Sequence, residues 1–224
     1  MDRNELAVWE EKCLAKVASI DAADAAHDLA HVKRVAKVAE EIARAEGGRL
    51  EIVLPAAWLH DLVTVPKDHP DRRRASRMSA EAATAFLVEC GYPLQLLASI
   101  AHAIEAHSFS AAIEPQTLEA RIVQDADRLD ALGAIGIARC FATSGALGRE
   151  FYDCNDPMAM NRPLDDSKYA LDHFETKLFR IAETLKTESG RAMGRRRVEF
   201  MRAFVRELES EIGEDSCRLP VAGC

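Results

Sequence analysis

The stretch HDLAHVKRVAKVAEEIARAE, residues 27–46, places apolar side chains at helical spacing. Its apolar stripe advances by four, three and four residues, through His31, Val35, Val38 and Ile42. That period marks one face of an α-helix, and the glycine pair at 47–48 is typical of a helix C-terminus. The pattern therefore predicts a helix over residues 27–46 with His31 on its buried face.

The same period recurs along the chain, and the two-residue alternation of half-buried strands is absent. The sequence is rich in alanine and only 6% aromatic, which favours helix over strand. We expect further helices at 4–20, around Trp58 with Pro55 in the first turn, and at 76–90, 94–107, 117–140, 171–185 and 198–208. Within 117–140, Gly133 and Gly136 are the expected places for a bend or an interruption. The prediction is an all-α, single-domain helical bundle over residues 1–224, with a core of about residues 20–142 and C-terminal helices within 167–212 packing on it.

Composition and charge exclude several classes of protein. The formal net charge of −8 makes a general nucleic-acid binder unfavourable, because such a field repels phosphate backbones. The six cysteines form no CxxC pair, so we expect reduced thiols rather than disulfides or a cysteine zinc site. The first residues, MDRNELAVWEEK, contain no apolar h-region, so we expect no secretory signal. No apolar run approaches the ~18 residues of a membrane span. We therefore expect a cytoplasmic protein without membrane contact.

Polar groups enter apolar surroundings at three separate places. His31 lies on an apolar stripe, His60-Asp61 follows the apolar run at 54–59, and Asp127 lies among apolar residues in RIVQDADRLDALGA, 121–134. Each has an ordinary alternative, namely a hydrogen-bonded core histidine, a dipeptide that occurs by chance, or an aspartate paired with Arg128 or capping a helix. Buried charge is costly unless something receives it.

One divalent ion would satisfy all four side chains at once. Two imidazoles and two carboxylates form a mixed nitrogen and oxygen ligand set, which suits Mn²⁺ or Fe²⁺, with Mg²⁺, Ni²⁺ and Zn²⁺ also compatible. Four protein ligands on a six-coordinate ion leave two positions for water and substrate, as a catalytic site requires. The predicted metal ligands are His31, His60, Asp61 and Asp127.

The order H…HD…D resembles the HD-domain superfamily of metal-dependent phosphohydrolases. It is carried by HDLAHVKRV (27–35), AAWLHDLV (56–63) and DADRLDALGAIGIAR (125–139). The strings VPKDHPDRRRASRMSAEAA (65–83), IEAHSFSA (104–111) and RPLDDSKYALDHFETKL (162–178) resemble a branch of small stand-alone bacterial members, among them manganese-dependent nucleoside triphosphate pyrophosphohydrolases. The resemblance spans about residues 10–206. It implies the same four ligands. His27 and Asp28 match the HDxxH opening of the family, and we expect them to orient His31 rather than to bind the metal.

Two-metal members of this superfamily carry further histidines between the HD pair and the last aspartate. Here Ser76 and Ser79 lie where such a ligand is expected. The histidines between that helix and Asp127, His102 and His107, are five residues apart and share no helix face well. We therefore predict one metal ion rather than two, Mn²⁺ by preference. This also argues against a di-iron oxygenase.

Residues 67–77 form a basic cluster directly after the HD pair, and cations of this kind recognise phosphate. A solvated helix start is the ordinary alternative. We predict Lys67, Arg72, Arg77 and His102 as substrate-binding residues. We predict Asp61, Lys67 and His107 as catalytic residues, with His107 as proton donor or phosphate ligand.

These residues predict an enzyme that cleaves phosphate or pyrophosphate from a nucleotide. A bound ion lowers the pKa of a coordinated water, which then attacks phosphorus without a covalent intermediate. The alternatives are a non-catalytic nucleotide-binding or interaction module on the same scaffold, and a phosphodiesterase or 5′-nucleotidase of this superfamily. The expected partner is a small phosphorylated substrate, and the sequence carries no prediction of oligomeric state.

Overall fold

A computed structural model describes residues 1–20, 29–65 and 69–213 of the chain. Across these ranges there are nine α-helices and no β-strand, so the prediction of an all-α fold is confirmed. The helices are α1 (Arg3–Ala18), α2 (Leu29–Glu46), α3 (Leu50–Leu59), α4 (Ala75–Glu89), α5 (Leu94–His107), α6 (Leu118–Leu129), α7 (Gly133–Ala146), α8 (Phe179–Glu183) and α9 (Glu188–Ile212). A 3₁₀ turn, Pro70–Arg74, precedes α4, and a π-helical turn, Phe174–Leu178, precedes α8.

The helices fall into two compact units. The first unit comprises Met1–Asp130 and Leu185–Ala192. The second comprises Ala131–Thr184 and, among the described residues, 193–213. The extent of a single domain over 1–224, with C-terminal helices packing on the core, stays a prediction.

The first unit is built around α3. This helix is buried at almost every position, from Ile52 to Ala57 and again at Leu59, because it packs against α1, α2, α5 and α6. A helix that is apolar all round belongs in the centre of a core. Its last turn runs directly into His60, which is fully buried. The fold therefore delivers the HD pair to the middle of the unit.

The helix α3 begins earlier than the sequence predicts. Pro55 was expected in the first turn, but the helix starts at Leu50 and Pro55 lies inside it. A proline there has no N–H for the carbonyl four residues earlier, which leaves Glu51 O without its helical partner. The hydroxyl of Tyr92 donates to that oxygen at 2.5 Å. Tertiary contact therefore supplies the hydrogen bond that the helix cannot make.

The long helix predicted over 117–140 is broken into α6 and α7. The break covers Asp130–Leu132, and Gly133 has a φ of +75°, a left-handed conformation that glycine adopts cheaply. Asp127 therefore lies in the last turn of α6, and Asp130 is the C-terminal cap of that helix. The break brings both carboxylates to a helix end.

The second unit holds a long irregular segment between α7 and α8. Arg162 donates to both oxygens of Asp172, and its guanidinium lies 4.5 Å from the ring centroid of Tyr169. The rings of Phe141, Phe174 and Phe204 pack against one another in the same unit. The predicted helix over 171–185 is instead the π-helical turn followed by the short α8. Across the described ranges, no helix combines the length and apolar character needed to cross a membrane.

Candidate metal centre

The four predicted ligands meet within the first unit. His31 Nε2 lies 3.5 Å from Asp127 Oδ1 and 3.9 Å from Asp61 Oδ2. His60 Nε2 lies 3.4 Å from Asp61 Oδ2 and 3.9 Å from Asp127 Oδ1. His31, His60 and Asp127 each offer a ligand atom, and these atoms lie within 4.8 Å of one another. Helices α2, α3 and α6 thus converge as the sequence pattern predicts.

The hydrogen bonds of the histidines fix which ring nitrogen faces the centre. His60 Nδ1 donates to Ala57 O at 2.8 Å, and a carbonyl oxygen can only accept. His107 Nδ1 donates to Ile104 O at 2.6 Å in the same way. The neutral rings therefore carry the lone pair on Nε2, which is the tautomer that binds a metal.

His31 is held by a residue that the sequence analysis did not assign. Its Nδ1 donates to Asp130 Oδ2 at 2.7 Å, and Arg34 Nε donates to Asp130 Oδ1 at 2.7 Å. Asp130 is buried, and the guanidinium of Arg34 provides the opposite charge that a buried carboxylate needs. The predicted orienting residues, His27 and Asp28, lie outside the described residues. Arg34, one turn after His31 on α2, is the feature of the sequence that could have indicated a buried acidic partner beside His31.

The Nε2 atoms of His31 and His60 face each other at 3.3 Å. Because each ring already donates from Nδ1, two lone pairs oppose each other across this gap, and a cation between them turns repulsion into ligation. The rings are buried, whereas the Asp61 and Asp127 side chains are 18% and 27% exposed. The imidazoles thus form the buried side of the centre, and the carboxylates form its solvent-accessible side. This set of donors fits a divalent ion that also binds water.

His107 joins the same cluster. Its Nε2 lies 3.4 Å from Asp61 Oδ1, and its ring centroid is 4.8 Å from that of His60. His60, Asp61 and His107 form a second group of three ligand atoms within 4.8 Å of one another, which shares His60 with the first group. His107 is therefore placed either to ligate an ion or to hold a proton against Asp61.

The pKa values of the two buried rings shift in opposite directions. Burial lowers the pKa of His60, because the charged ring loses its hydration, and Asp61 only partly offsets this loss. Burial also acts to lower the pKa of His107, but the hydrogen bond and charge of Asp61, together with the charge of Asp127 and the hydrogen bond to Ile104, outweigh burial, so the pKa is raised. Without an ion, His60 is thus the neutral ring of the pair.

The predicted substrate-binding residues are not all brought to the cluster by visible contacts. Lys67 lies outside the described residues. Arg72 donates to Val65 O at 2.8 Å and so braces the chain after the HD pair, and Arg77 is exposed on α4. His102 Nε2 accepts from Gln116 N at 2.9 Å, on a different face of α5 from His107. Binding of substrate by these four stays a prediction.

Ser76 and Ser79, which stand where a two-metal centre would need a further ligand, lie on one buried face of α4. Ser79 Oγ accepts from Val63 N at 3.1 Å and so pins the segment that follows Asp61. Ser76 Oγ is buried and has no hydrogen-bond partner among the described residues.

The chain is similar to known proteins both in sequence and in fold. The family described as HD domain matches residues 28–132. The Bacillus subtilis protein YpgQ is 38% identical over 190 residues, which cover 83% of this chain and 84% of YpgQ. An HD-superfamily hydrolase from Bacillus thuringiensis has a TM-score of 0.73 at 31% identity, covering 92% of this chain and 97% of that one. The structure of B. subtilis YpgQ in complex with ADP has a TM-score of 0.71 at 34% identity, covering 92% and 98%.

Proposed function

The chain belongs to the HD-domain family, and on that premise we propose that it is a metal-dependent phosphohydrolase acting on a nucleotide phosphate. The observation that carries the proposal is the opposition of two Nε2 lone pairs at 3.3 Å, flanked by the carboxylates of Asp61 and Asp127. A divalent cation bound between these groups would turn the repulsion of the two lone pairs into ligation and would neutralise the carboxylates. The B. thuringiensis relative is named a hydrolase, which supports the same class of activity.

The ligands in this proposal are His31, His60, Asp61 and Asp127, and Mn²⁺ is the preferred ion. Two nitrogens and two carboxylate oxygens suit a metal of intermediate hardness. When bound, the ion supplies an acidified water and charge neutralisation at phosphorus. Asp130 keeps the Nε2 of His31 aimed at the ion, since it holds Nδ1 at 2.7 Å.

The remaining roles follow from position. His107 Nε2 lies 3.4 Å from Asp61 Oδ1, so His107 is our candidate for the group that protonates the leaving oxygen. Lys67, six residues after Asp61 in the sequence, is our candidate for neutralising a non-bridging phosphate oxygen. A nucleotide is the proposed substrate because the YpgQ structure, 34% identical to this chain, contains ADP.

The test is the Asp61→Asn variant, with Glu41→Gln as the control for losing one exposed carboxylate. Mn²⁺ binding by calorimetry and release of phosphate and pyrophosphate from nucleoside mono-, di- and triphosphates are measured with and without chelator. We expect Asp61→Asn to lose both binding and turnover while its helical circular dichroism is retained. Metal-dependent turnover in Asp61→Asn equal to that of the parent protein would refute the site.

The products distinguish the reaction types. Pyrophosphate release identifies cleavage between the α- and β-phosphates, whereas phosphate release from a monophosphate identifies a 5′-nucleotidase. Nucleotide and Mn²⁺ binding without any product would assign a non-catalytic module instead. His107→Ala separates the roles of that ring, because loss of turnover with unchanged Mn²⁺ stoichiometry fits a proton donor, and loss of bound Mn²⁺ fits a ligand.

A further inference from the structure

An exposed aromatic ring lies at the end of the segment that leaves the metal centre. Phe109 is 72% exposed, although burying a phenylalanine side chain is worth ~2 kcal/mol or more. The guanidinium carbon of Arg128 lies 5.8 Å from the centroid of its ring, within the range of a cation–π contact. The ring is therefore held by a cation while most of its surface faces solvent.

Both members of this pair are anchored to the metal centre through the chain. Arg128 directly follows Asp127, and Phe109 comes two residues after His107, a span of at most about 7 Å. Asp127 and His107 both belong to the cluster of ligand atoms. Phe109 and Arg128 therefore lie at the edge of the centre, at a distance that one small molecule bridges.

We propose that Phe109 and Arg128 form the subsite that receives the base of a nucleotide whose phosphates reach the metal centre. This inference rests on the proposed function for its ligand class. Arg128 lies over one face of the Phe109 ring, and the base stacks on the opposite face. Because every base has a π-face, such a platform binds nucleotides without strong preference for one base.

The charges around Arg128 explain why it orients the ring rather than forming the main phosphate contact. Asp125, Asp127 and Glu114 lie close enough to act on its charge, and the side chain is only partly exposed. A guanidinium surrounded by carboxylates has little net attraction left for a phosphate. Its remaining contribution is the planar face that it offers to an aromatic ring.

The test compares ligands with and without a base. Binding of ADP and of inorganic pyrophosphate, each with Mn²⁺, is measured by calorimetry for the parent protein, Phe109→Ala and Phe109→Trp. Phe200→Ala is the matched control, since Phe200 is an exposed phenylalanine on α9. We expect Phe109→Ala to weaken ADP binding about 10- to 100-fold, with pyrophosphate binding unchanged and Phe109→Trp close to the parent protein.

The outcomes separate this subsite from the hydrolase assignment. Equal ADP affinity in Phe109→Ala and Phe200→Ala, or no ADP binding by the parent protein, would overturn the subsite even if phosphate esters are hydrolysed. Equal weakening of ADP and pyrophosphate would also overturn it, because the ring would then serve the phosphates or the fold. If Phe109→Ala selectively loses ADP binding while the parent protein shows no turnover, the subsite is supported and the assignment as a hydrolase is refuted.

Discussion

At the scale of single residues, the centre depends on a carboxylate that does not face the ion position. Asp130 accepts from His31 Nδ1 and from Arg34, and it is buried. Its charge fixes both the tautomer and the direction of the His31 ring. Residues that support a metal ligand in this way typically contribute about 10- to 100-fold to metal affinity.

We expect Asp130→Asn to weaken Mn²⁺ binding by about 10- to 100-fold, because an amide oxygen is a weaker acceptor for His31 Nδ1 than a carboxylate and the amide carries no negative charge. Calorimetry measures the affinity, and far-ultraviolet circular dichroism checks that the helices remain. Glu40→Gln on α2 is the control, since Glu40 pairs with Arg44 on the surface. Unchanged Mn²⁺ affinity in Asp130→Asn would show that Asp130 does not position His31.

The sequence predicted the cluster but not its support. Spacing and apolar context identified His31, His60, Asp61 and Asp127, because inward polar groups on helices are visible as a pattern. The pairing of His31 with Asp130 joins residues 99 positions apart, and no periodicity encodes it. The tautomers of His60 and His107 likewise depend on hydrogen bonds to carbonyl groups three residues earlier. Whether those carbonyl groups can accept depends on where each helix ends in the folded protein.

At the scale of elements, helix bounds were predictable where local signals agreed. The C-terminus of α2 falls at Glu46, next to the glycine pair, and α5 covers 94–107 as expected. Local signals failed where tertiary contacts decide, as at Pro55, which α3 tolerates because Tyr92 replaces the missing hydrogen bond. The prediction of a continuous helix over 171–185 was also wrong at the π-helical turn, because the apolar spacing of this segment also fits an ordinary α-helix.

The start of α9 is held by two carboxylates from other helices of the first unit. Asp125, fully buried, accepts from Lys186 N, Thr187 N and Thr187 Oγ1 at 2.7–3.0 Å. Glu46 accepts from Ser189 N at 2.6 Å. Burial raises the pKa of Asp125 in spite of its hydrogen bonds, whereas the bond from Ser189 lowers the pKa of Glu46. Negative groups at a helix N-terminus also complement its dipole.

We expect Glu46→Gln to destabilise the protein by about 1 kcal/mol at pH 7, because a neutral acceptor binds the helix start less strongly. The folded pKa of Glu46 lies below its ordinary value of 4.5, so its stabilisation is complete above that pH and is lost as the pH falls through the lowered pKa. Urea unfolding from pH 7 down to about pH 3 measures the difference between parent and variant. A difference that stays constant over this range, or that Glu41→Gln reproduces, would contradict the assignment.

At the scale of the whole molecule, all the ligand atoms belong to the first unit, and the chain passes between the two units three times. Neither unit is a continuous segment of sequence, since residues 185–192 return to the first unit. Independent domains usually meet at a few exposed linkers, and this chain lacks that simple division. We therefore expect the two units to unfold together, as the prediction of one domain over 1–224 requires.

Mn²⁺ tests both the centre and this cooperativity. An ion that binds only the folded state at about 100 times its dissociation constant adds about 2.7 kcal/mol of stability. For a protein of this size each 1 kcal/mol raises the melting temperature by about 2–4 °C, so we expect a rise of about 5–10 °C that a chelator reverses and Asp61→Asn abolishes. Scanning calorimetry should show one transition that moves as a whole. Two transitions, of which Mn²⁺ moves one, would show that the units unfold separately, and the absence of any rise would show that the opposed imidazoles hold no ion.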